Sequence, residues 1–139
     1  MDIGSLDVRR KPCPEGFYRG VIMDVGWKEG LRDGETVNKA KIRIQIKTDN
    51  PNSDESTIGK NVFDNIPWTE DMAWKAGSIY AAANGLSEDD EDLEEMTKEK
   101  FETIKTQEVQ FDVKHNIIMD DSGKKRTMVN VQNYKAVQG

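Results

Sequence analysis

Apolar and polar residues alternate without a break in the segment KAKIRIQIK, residues 39–47. The apolar parity consists of Ala40, Ile42, Ile44 and Ile46. The other parity carries four cations, Lys39, Lys41, Arg43 and Lys47. Because side chains two positions apart share one face of a β-strand, this pattern predicts a strand with a buried face and a strongly basic solvent face.

Five strands are predicted from β-branched and aromatic residues with a period of two, and they cover residues 16–27, 38–48, 56–64, 108–119 and 126–137. Gly20 and Gly26 are the expected bend or bulge points of the first strand. Residues 28–37 contain the Asp33-Gly34 pair, so they are expected to form a loop or a long hairpin connection.

The period changes to 3.6 residues after Pro67. One helical face is formed by Met72, Ala76, Ile79, Tyr80 and Ala83. Thr69 is the predicted N-cap of this helix, and the Asn84-Gly85 pair is its predicted C-terminal stop. Ser87 is expected to cap a second, acid-rich helix with the apolar stripe Leu93, Met96, Phe101 and Ile104.

The predicted order is three strands, a helical insertion and two strands in a chain of 139 residues. That order is typical of the OB-fold, a partly open barrel that binds oligonucleotides. The sequence therefore predicts a mainly β protein, a five-stranded OB-fold-like barrel with a helical insertion between strands 3 and 4. A mixed sandwich is the alternative. Residues 1–15 are expected to be a flexible N-terminal arm, and residues 16–139 the OB-fold-like domain.

The formal net charge of −6 is distributed unevenly. Residues 88–95 contain seven acidic residues and no basic one, so the remainder of the chain is close to neutral. Because the Debye length is about 8 Å at physiological salt, a basic strip elsewhere can still attract an anionic partner. No apolar run is long enough to span a membrane, and the first residues lack a signal peptide's apolar segment, which predicts a soluble, cytoplasmic protein.

The sequence contains few of the residues and motifs that catalysis requires. His115 is the only histidine and Cys13 the only cysteine, so paired-histidine metal sites, histidine-dependent triads and internal disulfides are not expected. The sequence contains no phosphate-binding glycine loop, zinc-protease motif or nucleophile elbow. We therefore expect a protein that is not an enzyme and that uses no cofactor or metal ion.

Binding of a single nucleic-acid strand requires positive charge along the backbone path and flat rings for the bases. Further cations are expected to converge with the basic strand on one surface of the barrel: Lys28, Arg32, Lys60, Lys124, Lys125 and Arg126. Trp27 is the leading stacking candidate, whereas Phe17 and Phe63 are expected to lie in the core. The alternative explanation of the basic strand is an exposed sheet edge that lysines protect against aggregation.

Three stretches carry a resemblance to a known family: PEGFYRGVIMDVGW, VFDNIPWTEDMAWKAGSIYAAANGL and KKRTMVNVQNYKAV. Their pattern of apolar and aromatic positions resembles small phage replication-module proteins classed as a domain of unknown function, which are similar to phage single-stranded DNA-binding proteins. The resemblance implies an OB-type barrel in the host cytoplasm that coats single-stranded DNA beside replication or recombination enzymes. The chain ends NYKAVQG, however, where many such proteins have an acidic tail that recruits partners.

The first hypothesis is thus a non-enzymatic single-stranded DNA-binding protein of a phage replication or recombination module. The alternative is a phage protein–protein interaction module, and its surface would consist of Trp74, Glu88, Asp89, Asp90 and Glu91. Trp74 supports it because this ring lies nearly opposite the apolar face of the predicted helix. A structural component of the virion is a third hypothesis. The sequence leaves open DNA against RNA, and monomer against homodimer.

Overall fold

The computed structural model describes residues 12–48, 56–87, 90, 93, 95–119 and 121–137. Within these residues the strands are β1 (Gly16–Arg32), β2 (Glu35–Ile46), β3 (Asn61–Pro67), β4 (Glu108–Met119) and β5 (Lys125–Ala136). Between β3 and β4 lie a 3₁₀ turn (Glu70–Met72), helix α1 (Ala73–Asn84) and the short helix α2 (Lys98–Glu102). The protein is therefore mainly β with a helical insertion between strands 3 and 4, as the sequence predicts.

The strands form one antiparallel sheet in the order β3-β2-β1-β4-β5. The basic strand β2 lies between β3 and β1, so protection of an exposed sheet edge does not explain its lysines. In the described part of the chain no backbone ladder joins β3 to β5, and the sheet is not closed into a barrel.

Side chains bridge the gap between the two edge strands. Tyr134 on β5 donates a hydrogen bond of 2.7 Å to Oδ2 of Asp64 on β3. Lys75 on α1 donates to Oδ1 of the same carboxylate at 3.2 Å. Because Asp64 is buried, its charge is tolerated only with such partners. Helix α1, which also packs on β5, therefore covers the opening between β3 and β5.

The core lies between the inner face of the sheet and the helices. The apolar parity of β2 is fully buried, which confirms the pattern found in the sequence. The largest fully buried side chains include Tyr18, Ile22, Ile66, Ile79, Phe101 and Phe111. Complete burial of one such side chain contributes about 1.5–3 kcal/mol.

The first hairpin is longer and tighter than expected. β1 and β2 stay paired as far as Arg32 and Glu35, so most of the predicted loop at residues 28–37 is strand. Asp33 and Gly34 have φ values of 52° and 82°. Two successive left-handed residues make a turn whose twist matches the flanking strands, and Asp-Gly is a preferred pair for it. The Asp33-Gly34 pair therefore continues the ladder instead of opening a loop.

β1 contains a bulge between Ile22 and Asp24, with Met23 as the extra residue. The even-numbered side chains face the core before the bulge, and the odd-numbered side chains face it afterwards. The expected bulge positions, Gly20 and Gly26, lie on either side of the observed one. This change of parity decides which aromatic rings of β1 are accessible.

The helical insertion is only partly as predicted. Gly85 ends α1 in the left-handed conformation, with a φ of 66°, which confirms the predicted stop. Thr69 precedes the 3₁₀ turn, but its side chain makes no capping hydrogen bond. The second helix is capped by Thr97, whose hydroxyl accepts from the backbone of Lys100, and not by Ser87. No helix in the described residues is long and apolar enough to cross a membrane.

Part of the predicted N-terminal arm is packed against β4. Residues 1–11 lie outside the described residues. The carbonyl of Cys13 lies 2.6 Å from Nε2 of the half-buried His115, and the carboxylate of Glu15 accepts from the backbone N–H of His115 at 2.9 Å. The hydroxyl of Tyr18 donates to the carbonyl of Pro14 at 2.8 Å. Residues 12–15 are thus attached to the sheet.

The far end of the β4–β5 hairpin projects beyond β1. β4 pairs with β1 only from Glu108 to Val113, in the described chain, and then continues with β5 alone. We call residues 114–119 and 121–130 of this hairpin the arm, as distinct from the predicted N-terminal arm. Several large apolar side chains are exposed on it: Ile117, Ile118, Met119 and Met128.

Candidate nucleic-acid interface

The outer surface of β1, β2 and β3 collects five of the ten predicted cations. Directly paired residues of antiparallel strands share a face, so the register places side chains of all three strands together. We call this surface the basic face, and its principal members are Lys28, Lys39, Lys41, Arg43, Lys47 and Phe63. Each of these side chains points away from the face that its strand buries in the core.

An aromatic ring and an ammonium group meet at the centre of the basic face. Phe63 is 43% exposed, and Nζ of Lys41 lies 5.2 Å from the centroid of its ring. The expectation that Phe63 lies in the core is wrong, because Val62 and Ile66 occupy the buried parity of β3. The sequence NVFDNIP gives no clear signal of this, because Val62 and Phe63 are adjacent apolar residues and the polar Asp64 lies on the buried parity. A cation beside an open ring is the pairing that single-strand binding requires.

Arg43 is held by a carboxylate on the neighbouring strand. Its Nε donates to Oδ2 of Asp24 at 2.9 Å, and a second guanidinium N–H donates to the same oxygen. Nζ of Lys105 lies 3.8 Å from Oδ1 of Asp24. The hydrogen bonds from Arg43 lower the pKa of Asp24, so the carboxylate is charged at neutral pH. Neither Asp24 nor Lys105 was among the residues predicted for this surface.

The remaining lysines of the basic face make weaker contacts. Nζ of Lys39 donates to the carbonyl of Leu31 at 3.3 Å, and Nζ of Lys47 donates to Oε1 of Gln45 at 2.9 Å. Lys28 is exposed and lies directly opposite Lys39 in the ladder. Neither of these two hydrogen bonds is made to a carboxylate, so both lysines can turn toward an anionic ligand.

Two predicted cations have other surroundings. Arg32 binds both carboxylate oxygens of Asp71, at 2.9 and 2.6 Å, and its guanidinium also donates to Thr69. This contact holds the pKa of Asp71 well below its usual range and attaches the first hairpin to the start of the helical insertion. Lys60 is exposed immediately before β3, and its carbonyl accepts from the N–H of Ile46, at the end of β2.

Trp27 does not form an open platform. It follows the bulge and therefore faces inward, where its ring packs edge-to-face on Trp68 with centroids 4.8 Å apart. Its Nε1 donates to Glu102 at 2.6 Å, and Nζ of Lys98 lies 5.0 Å from its ring. The expectation that Trp27 is the leading candidate for stacking on a base is corrected, because its ring packs between α2 and the sheet.

The hairpin tip with Lys124, Lys125 and Arg126 is separated from the basic face. Met119 pairs with Lys125 six residues beyond the start of β1, whereas the N–H of Lys47 bonds to Arg19 inside β1. At about 3.4 Å per residue, roughly 30 Å of strand lies between the tip and Lys47. The expected convergence of the tip with the β2 cations is therefore wrong, because β4 carries the tip away from β1.

The predicted partner surface is only partly described. Trp74 is 66% exposed on α1. A cavity of about 230 Å³ at the start of α1 is lined by Trp68, Ala73 and Met96 among others, and Trp74 is not part of its lining. Asp90 is half-buried, and Glu88, Asp89 and Glu91 lie outside the described residues.

Comparison with known proteins adds no direction: no protein-family model matches the chain, and no curated protein matches it. The resemblance to phage single-stranded DNA-binding proteins therefore stays a prediction.

Proposed function

We propose that this protein is a non-enzymatic single-stranded DNA-binding protein of a phage replication or recombination module. Its architecture would be an incomplete OB-like barrel, in which the Tyr134–Asp64 hydrogen bond stands where an OB-fold pairs β3 with β5. The strand order and the position of α1 over the opening support that assignment. Binding would use the outer surface over β2 and β3, as OB-folds do.

The observation that carries the proposal is the Lys41–Phe63 pair on the basic face. An exposed phenyl ring can stack on a base, and the adjacent ammonium group can contact the phosphate of the same nucleotide. Only an unpaired base offers its flat side to a ring, since the bases of a duplex cover one another. The pair therefore favours a single strand over a duplex.

The first test is removal of the ring. Stacking contributes about 1–3 kcal/mol per base, so Phe63→Ala should weaken binding of a labelled oligo-dT about fivefold or more. Fluorescence anisotropy measures the affinity. Trp74→Ala is the matched control, because it removes an exposed ring from α1, away from the basic face. Equal affinity of the wild-type protein for a duplex, or no effect of Phe63→Ala, would contradict the proposal.

The second test is reversal of charge. Lys41→Glu with Lys47→Glu should weaken binding and flatten its salt dependence, because each neutralised phosphate contributes about −0.7 to the slope of log K against log salt. These changes leave the Arg43–Asp24 ion pair intact. Lys135→Glu on the edge strand β5 is the control. A slope that stays unchanged in the double variant would remove β2 from the mechanism.

The protein-interaction module is retained as the second candidate because Trp74 is exposed on α1. Deletion of residues 88–95 separates the two proposals. Under the first, DNA binding persists or improves, because a competing polyanion is removed. Under the second, DNA binding is absent from the start, and the deletion, like Trp74→Ala, abolishes capture of a phage or host replication protein.

A further inference from the structure

The carboxylate of Asp24 lies between two cations that come from opposite sides of β1. Arg43 approaches from β2, where it is directly opposite Asp24 in the ladder. Lys105 approaches from the turn that precedes β4. The carboxylate remains about half exposed, with a side-chain accessibility of 53%. A single anionic group thus occupies an open site that two cations form.

Two local features of the backbone create this site. The bulge at Met23 brings Asp24 into register with Arg43. On the other side of β1, the N–H of Thr106 bonds to the carbonyl of Ile22 at 2.7 Å, which fixes the preceding Lys105 beside Asp24. Thr106 has a φ of 77°, a left-handed conformation that is strained for a β-branched residue.

The site adjoins the proposed stacking ring. Phe63 on β3 lies directly opposite Arg43, so ring, guanidinium, carboxylate and Lys105 follow one another across neighbouring strands. A base on Phe63 would place its backbone over Arg43. A phosphate resembles a carboxylate in its charge and in the paired oxygens that a guanidinium binds.

We infer that Arg43 and Lys105 form a binding site for a backbone phosphate of the single strand, and that Asp24 occupies this site in the unbound protein. The inference rests on the proposed function. Asp24 is an internal competitor: the incoming phosphate displaces it, and the exchange reduces the net gain from the two cations. The affinity of the basic face is therefore set below the value that its cations alone would give.

The test is Asp24→Asn, which keeps the shape of the side chain and removes its charge. The variant should bind oligo-dT about two- to fivefold more tightly, the range that an exposed ion pair supports. Its salt slope should steepen by up to about 0.7, because the net positive charge that meets the phosphate rises by one. Asp71→Asn is the matched control, because it releases Arg32 from a similar ion pair on the helical insertion and should leave both quantities unchanged.

A second variant keeps the inference testable if Asp24→Asn unfolds the protein. Lys105→Gln should weaken binding and flatten the slope, with an unchanged melting temperature, because Lys105 is exposed. Unchanged binding in either folded variant, beside normal binding by the wild-type protein, would overturn the inference and leave the proposed function intact. No binding of oligo-dT by the wild-type protein would overturn the proposed function itself.

Discussion

At the scale of single residues, two glycines of β1 differ in how much space surrounds them. A Cβ built on Gly20 would lie 2.6 Å from the carbonyl oxygen of Gln45 and 2.7 Å from Cγ2 of Ile44. A Cβ on Gly26 would meet nothing closer than 4.0 Å. Close packing of β1 on β2 therefore depends on Gly20, and the ladder at Gly26 does not need a glycine.

Gly20→Ala should consequently lower the free energy of unfolding by about 1–3 kcal/mol, the usual cost of overpacking, because backbone must move to admit the methyl group. Gly26→Ala, in the same strand, should be within about 0.5 kcal/mol of the wild-type protein. Chemical denaturation with a common slope measures both. Equal stability of the two variants would contradict this, because it would mean that β2 can move away from a methyl group at position 20 with no loss in the free energy of unfolding.

The aromatic residues show where prediction from the sequence reaches its limit at this scale. The face of Phe63 was not predictable, because Val62 and Phe63 are adjacent apolar residues and the polar Asp64 lies on the buried parity of β3. Trp27 could have been placed inside, since Val25 and Trp27 alternate with Asp24, Gly26 and Lys28, whereas the bulge at Met23 reverses the parity of the residues before it. The face of a residue follows from alternation only within a stretch that contains no bulge. Phe63 replaces Trp27 as the stacking candidate, because the ring of Phe63 is exposed and that of Trp27 packs on Trp68.

At the scale of elements, the contact between β3 and β5 depends on one hydrogen-bonded cluster. Burial raises the pKa of Tyr134 well above its ordinary value, and the charge of Asp64 raises it further. The folded protein thus prefers the neutral phenol. In the unfolded chain a tyrosine ionises near pH 10, so this contribution to stability is complete below that pH and is lost as the pH rises above it.

Between pH 10 and 11.5 the wild-type protein should therefore lose stability more steeply than Tyr134→Phe, by up to about 1.4 kcal/mol per pH unit. At pH 7 the variant should be less stable by about 1 kcal/mol, because Asp64 loses one donor. Urea unfolding at a series of pH values measures both differences. Tyr18 and Tyr80 are present in both proteins and provide the common background. Parallel pH profiles would mean that Tyr134 ionises freely.

The elements themselves were predictable where local signals are sufficient. The bounds of β4 follow from alternation alone, and Gly85 ends α1 as its conformation requires. The first hairpin was predicted too short, because hydrophobic periodicity fades before the turn, although Asp33 and Gly34 allow strands to continue. The second helix was predicted to begin at Ser87 because acidic residues suit a helix start, whereas its observed cap, Thr97, precedes Phe101 and Ile104, which are fully buried.

At the scale of the whole molecule, strand order was predictable and strand register was not. Five strands with a helical insertion specify few topologies, and the sheet adopts one of them. The distance between the basic face and the hairpin tip depends on the register of β4 against β1. The alternation of residues within each strand does not specify that register. The same displacement creates the arm, whose two strands have apolar side chains without a core beneath them, among them Ile117 at 72% exposure.

The separation of the arm from the basic face predicts a dependence on the length of the DNA. A single strand of about 6 nucleotides, near the lower limit for one OB-fold, would be held by the basic face alone. A strand of about 30 nucleotides would also reach the tip, some 30 Å away along the sheet. Lys124→Glu with Lys125→Glu should therefore leave the affinity for the short oligo-dT unchanged and weaken binding of the long one several-fold, with a flatter salt slope.

Lys41→Glu with Lys47→Glu is the natural comparison for this experiment, because it should weaken binding at both lengths. Anisotropy titrations of the two double variants with the two probes give four affinities, and the pattern among them locates the contacts. If the tip variant weakened the short probe as strongly as the long one, the arm would have to fold back over β2 when DNA binds, since the register alone keeps them apart. A tip variant that bound both probes normally would restrict recognition to the surface around Lys41 and Phe63.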